Sequence, residues 1–221
     1  MLATALPVSN ARKTPRQARS VTTVEAIFEA TIQVLLSEGP VALTTTRVAE
    51  RAGVSVGSLY QYFPNKQALF HAVNARYLAM LADRVEATCA AQRGRTYAEM
   101  AAALVATYIK VKIERRDVTI ALYRAAAQVD VGDIVETMAR RIEAASEAMF
   151  ATASDGTFAQ LAKVNVTMLN VLCGTVRNVF DRGLSDLLID GELQAQLTLM
   201  FCTYLDAVKI KGDGPRPETP F

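Results

Sequence analysis

Apolar residues recur at three- and four-residue intervals along most of the chain, a spacing that predicts helices rather than strands. The first stripe is Ala26, Ile27, Ala30, Val34 and Leu35. Thr22 with Glu25 three residues on has the form of a capping box that opens this helix, and Gly39-Pro40 closes it. A long helix is predicted over residues 65–91, with Leu69, Val73, Leu78, Leu81 and Val85 at helical spacing. Further helices are predicted over 97–114, 117–128, 131–151, 158–182 and 191–210, separated by Gln92-Arg93-Gly94-Arg95, Ser154-Asp155-Gly156 and the connection 183–190. The pattern is that of an all-α protein without internal repeats.

Residues 43–70 break this rhythm. Two short helical stretches, 45–52 and 56–62, flank the turn Gly53-Val54-Ser55. So brief a joint suits a helix-turn-helix, whose second helix projects into the major groove of DNA. Thr44, Ser55 and Asn65 are each placed to cap the helix that follows them. Gly53 can leave the first helix in a left-handed conformation at little cost. Val48, Ala49 and Ala52 share one face, and Val54, Leu59 and Phe63 supply the apolar contacts back to it, before Pro64 ends the second helix. The outward residues Val56, Gly57, Ser58, Tyr60, Gln61 and Tyr62 include no carboxylate, which suits a phosphate-lined groove.

Chemistry divides the candidate DNA contacts. Thr44, Thr45, Tyr60 and Lys66 offer hydroxyls or a cation at helix ends, where they would hold phosphates and fix register. Thr46, Arg47, Val56, Gly57, Ser58, Gln61 and Tyr62 lie where base edges can be read. Gln61 can pair with adenine through both amide groups, and Val56 and the Cβ of Ser58 can touch thymine methyls. Arg47 is open between phosphate and solvent.

The segment resembles the DNA-binding motif of the TetR family of bacterial transcriptional regulators. The resemblance rests on Leu43-Thr44-Thr45, Val48-Ala49, Ala52-Gly53-Val54-Ser55, Leu59-Tyr60, Tyr62-Phe63 and Asn65-Lys66 with Leu69-Phe70, and it covers residues 21–70. It matches Tyr60 and Lys66 to the family's usual phosphate contacts and positions 56–58 to its variable base readers. It implies a three-helix helix-turn-helix DNA-binding domain (20–66) and a helical ligand-binding and dimerisation domain (67–210), while charge marks residues 1–19 as a basic, disordered arm and the prolines and glycines of 211–221 mark a disordered tail. It implies a homodimer through the last two long helices, matching a two-fold operator whose major grooves lie roughly 34–36 Å apart. Gly174 would let a partner helix approach closely, although those apolar helices can also be simple core.

The larger domain is expected to hold a small, moderately apolar effector. The polar, aromatic and sulfur-bearing candidates within apolar helices are Tyr108, Lys112, Tyr123, Arg124, Asn165, Met168 and Asn170. Each has a plainer role as core or solvated surface. Asn165 is the most suggestive, since an amide on a core-facing turn needs a partner. The expected function is a ligand-responsive regulator, a repressor released by its effector. The alternatives are a regulator governed by a protein partner, and an activator.

Composition narrows the classes without changing this picture. Half the chain is hydrophobic, 51%, enough for a substantial core. Residues 1–66 carry seven Lys/Arg and four Asp/Glu, a local charge of +3 against +2 for the whole chain. Arg12, Lys13, Arg16 and Arg19, with no acid among the first twenty residues, can form an arm that reaches phosphates or a leader that only solvates. The three cysteines, Cys89, Cys173 and Cys202, are scattered without metal-ligand spacing and read as small buried hydrophobes in a reducing compartment. His71 is the one histidine, and Asp83 with Glu86 reads as a solvated helix face. No catalytic constellation, metal site or cofactor loop is expected, so the chain reads as no enzyme. No segment is apolar for long enough to span a bilayer, and a cytoplasmic location is expected.

Overall fold

The structure, a computed structural model, describes residues 15–126 and 129–210. Among them are ten helices and one isolated bridge, Phe158 with Lys209, and the fold is all-α. Residues 1–14 of the expected arm and the expected tail 211–221 lie outside the described residues. No helix among the described residues is long and apolar enough to cross a membrane. The chain divides into two compact units between Leu69 and Phe70.

The first unit contains α1 (Pro15–Glu38), α2 (Thr45–Ala52) and α3 (Val56–Tyr60). Helix α1 starts at Pro15, so Thr22 and Glu25 lie inside it and do not open it. Proline fits a helix's first turn, and the Gln, Ala and Arg residues behind it propagate the helix well. Ile27, Ala30, Val34 and Leu35 of α1 are buried with Leu43, Val48, Ala49, Leu59 and Phe63. Helix α3 stops at Tyr60 rather than at residue 62. Gln61 and Tyr62 donate to carbonyls only three residues back, because the chain tightens ahead of Pro64, which disfavours helical backbone at Phe63.

The division falls within α4 (Lys66–Ala91), so this helix belongs to both units. Beyond it come α5 (Tyr97–Glu114), α6 (Arg116–Ala126), α7 (Gly132–Phe150), α8 (Leu161–Asp181), α9 (Asp186–Ile189) and α10 (Glu192–Val208). Their shared core includes Leu81, Val85, Met100, Leu104, Ile109, Met149, Leu172, Val176, Phe201 and Leu205. A capping box of Thr96 and Glu99 opens α5.

Three expectations change here. Helix α8 begins at Leu161 instead of 158, because Phe158 is held in extended backbone beside Lys209, its ring edge-on to Tyr97 at 6.2 Å. The connection 183–190 contains the short helix α9. Asp83 and Glu86 are not a bare solvated face: both bind Arg141 of α7, at 2.7 and 2.6 Å. That arginine lies 55 residues from Glu86, so no local pattern announces it.

Candidate DNA-binding surface and internal cavity

The caps expected around the turn are formed. Thr44 Oγ1 accepts from the backbone N–H of Arg47 at 3.2 Å, and Ser55 Oγ accepts from that of Ser58 at 3.0 Å. Gly53 takes φ 67°, and the N–H groups of Gly53 and Val54 close onto the Glu50 and Ala49 carbonyls. A side chain would strain that left-handed backbone. Asn65 Oδ1 accepts from the Ala68 N–H at 2.8 Å, which places Lys66 at the first position of α4.

These anchors leave α3 presented outward. Gly57, Tyr60 and Gln61 are exposed, and Val56, Ser58 and Tyr62 are half-buried. The Tyr60 hydroxyl lies 3.1 Å from Thr45 Oγ1, so the far end of α3 is tied to the start of α2. The Ser58 hydroxyl lies 2.8 Å from that of Ser55, and the Tyr62 ring tilts against Phe63 at 6.4 Å. Thr44 and Thr46 are exposed on α2's first turn. Arg47 has its charge paired within the unit: Nη1 sits 2.6 Å from Glu38 Oε2 and donates to the Ala42 carbonyl at 3.3 Å.

The second unit holds a partly open cavity of about 340 Å³ walled by α4, α5, α6, α7 and α8. Of the expected ligand residues, Tyr108, Lys112, Tyr123 and Asn170 line it. Arg124, Asn165 and Met168 do not. Arg124 is exposed and Met168 is fully packed core. Asn165 is fully buried, but its partners are structural: Oδ1 accepts from Ser146 Oγ at 2.8 Å and Nδ2 donates to the Glu143 carbonyl at 2.9 Å. Its amide joins α7 to α8.

Sequence reasoning missed Leu78, Leu81, Met138, Ile142, Glu143, Leu169 and Arg177 on the cavity wall. Arg177 had a signal, since Asn170, Gly174 and Arg177 repeat at helical spacing on one face of α8. Gly174 opens onto the cavity, and a Cβ there would meet nothing within 4 Å. Burial pushes the Cys89 thiol up to about 11 and raises those of Cys173 and Cys202, so all three stay protonated at neutral pH. No cluster of metal-ligating side chains occurs among the described residues.

A short two-helix turn with an exposed, carboxylate-free second helix, braced by a third, defines a helix-turn-helix DNA-binding domain. Residues 27–73 match the family model of bacterial regulatory proteins, tetR family. Over these residues the chain carries a DNA-binding domain of the bacterial TetR-family type. It is similar to the nucleoid occlusion factor SlmA of Haemophilus ducreyi, 38% identical over 65 residues, or 29% of this chain. That match spans about a third, 32%, of the relative's length. Among solved structures, a TetR-family transcriptional regulator from Streptomyces coelicolor is 21% identical over 84% of this chain and 99% of its own, with a TM-score of 0.58. A transcriptional regulator from Rhodococcus sp. Rha1 is 16% identical over 86% and 99%, with a TM-score of 0.66. At these identities the two structures speak for the shared fold.

Proposed function

We propose that this regulator binds a palindromic operator as a homodimer, represses transcription there, and is released by a small, moderately apolar effector held in the second unit's cavity. The observation that carries this reading is α4. Its first turn holds Lys66 beside the helix-turn-helix, and its Leu78 and Leu81 wall the cavity. An occupant that displaces those leucines acts on the helix that also begins at the DNA-reading surface. Operator affinity would then fall through a change in the spacing of two recognition helices.

Within this reading Tyr60, Thr44, Thr45 and Lys66 hold phosphates, while Val56, Gly57, Ser58 and Gln61 read bases, with Thr46 and Tyr62 at the edges. Arg47 serves mainly to fasten α2 to α1 through Glu38. Leu199 and Met200 on α10 and Val166 on α8 are exposed apolar residues that support pairing of the last two long helices across a two-fold axis. A DNA-binding regulator of this kind works in the cytoplasm. Selection of bound sequences from a random DNA pool, with sedimentation of the complex, tests the proposal. An inverted repeat bound by two chains is the expected result; a single chain on an asymmetric site would refute it.

A further inference from the structure

Lys112 is a buried cation that no anion pairs with among the described residues. It lies on α5 with 1% of its surface exposed and lines the cavity. Its ammonium faces three rings, Tyr77 at 5.1 Å, Tyr108 at 5.8 Å and Tyr123 at 5.0 Å. Ring faces attract a cation, but they leave its three N–H donors without strong acceptors. The Tyr77 hydroxyl is committed to Thr119, whose own hydrogen goes to the Lys112 carbonyl at 2.9 Å. Desolvation lowers the Lys112 ammonium to about 8, so it is still charged at neutral pH.

The rest of the wall is mostly hydrocarbon, with Leu78, Leu81, Met138, Ile142 and Leu169. Two other charges share it. Arg177 lies over the Tyr123 ring at 4.3 Å and pairs with Asp181 at 3.1 Å. Glu143 forms no ion pair with Lys112 among the described residues. An enclosed charge lacking its counterpart is a standing cost that a bound anion would relieve.

We propose that the cavity takes an amphipathic monoanion, an apolar body ending in a carboxylate that pairs with Lys112 Nζ. One fully buried cation suits one negative charge. A phosphate dianion would need more donors, and Glu143 would repel two charges more strongly than one. This names the chemistry of the effector in the reading above and rests on it.

Calorimetric titration at pH 7 with decanoate, decanamide and decylamine, each below its micelle concentration, tests the pairing. Decanoate should bind at least roughly tenfold more tightly than decanamide, with decylamine weakest. Lys112→Met and Lys112→Gln, checked for native helicity, should abolish the preference for decanoate. Equal affinities in the wild type, no decanoate binding, or a preference that survives both substitutions would overturn the pairing. Operator affinity measured alongside separates the two ideas. If decanamide releases DNA as well as decanoate does, the charge pairing fails and effector control stands. If decanoate is preferred but leaves DNA affinity unchanged, the pairing stands and effector control fails.

Discussion

Arg141 on α7 grips Glu86 on α4 through two parallel bonds, Nε to Oε1 at 2.8 Å and Nη2 to Oε2 at 2.6 Å. The same Nη2 also reaches Asp83 Oδ1 at 2.7 Å, and these carboxylates raise the guanidinium's already high pKa. The fork geometry makes this the best-formed ion pair between two walls of the cavity. All three side chains are solvent-accessible, so water screens the attraction. Arg141→Ala should cost about 1 kcal/mol, seen as a melting temperature lower by about 2–4 °C. The loss should shrink in high salt. A substitution that leaves melting unchanged at low salt would show that the clamp contributes nothing.

Tyr60→Phe and Lys66→Ala should each weaken operator binding at every sequence rather than alter preference. Tyr60→Phe removes a hydroxyl that also meets Thr45 Oγ1 at 3.1 Å, so it loosens the phosphate-facing edge of both helices. Lys66→Ala should in addition reduce the slope of log affinity against log salt by about one. Anisotropy titrations across a salt series check both, and unchanged affinity in both variants would reject these roles.

The buried ammonium of Lys112 should make stability depend on pH in one direction. Its pKa is lowered from 10.5 to about 8 when the chain folds. Below pH 8 folded and unfolded chains both hold the proton, and the full burial penalty is present. Between 8 and 10.5 the folded chain loses the proton first, so the unfolded chain binds more protons and stability rises with pH. Lys112→Met should therefore be more stable than wild type at pH 7, by a margin that shrinks by up to roughly 3 kcal/mol as pH approaches 10.5. Tyr77, Tyr108 and Tyr123, whose hydroxyls burial raises, titrate in both proteins and largely cancel in the difference. Urea unfolding of the two proteins across this range reads the margin.

Gly174 lies inside α8, where glycine lowers helix stability and its site has room for a methyl group. Gly174→Ala should stabilise the protein by roughly 0.5–1 kcal/mol. Gly174→Leu should project into the cavity and weaken decanoate binding while the fold persists. Thermal melting and calorimetry of the pair separate these effects.

The helix-turn-helix was legible because nearly everything that shapes it is local. Thr44, Ser55 and Asn65 each cap the helix that follows by accepting from a backbone N–H three residues on, and Gly53 sets the turn by itself. Helix α3 ends two residues short of its periodic stretch because Pro64 acts before its own position. The cavity was half legible. Tyr108, Lys112 and Tyr123 stand out as odd residues in apolar helices, but what gathers them is the packing of distant segments. Asn165 shows the limit: its amide did need partners, and it found them in Ser146 and a backbone carbonyl of α7. Periodicity could place it facing inward but could not say what lay opposite.

The hydroxyl relay from Tyr77 through Thr119 to the Lys112 carbonyl fastens α4, α5 and α6 at the sharp bend around Arg115. Lysine is normally a slack tether, able to absorb a tug along its four methylenes. Here the root of that tether is staked to two neighbouring helices and its head is fenced by their rings. A guest drawing on the head would find little play to take up, and its force would pass to the scaffold that carries Tyr77.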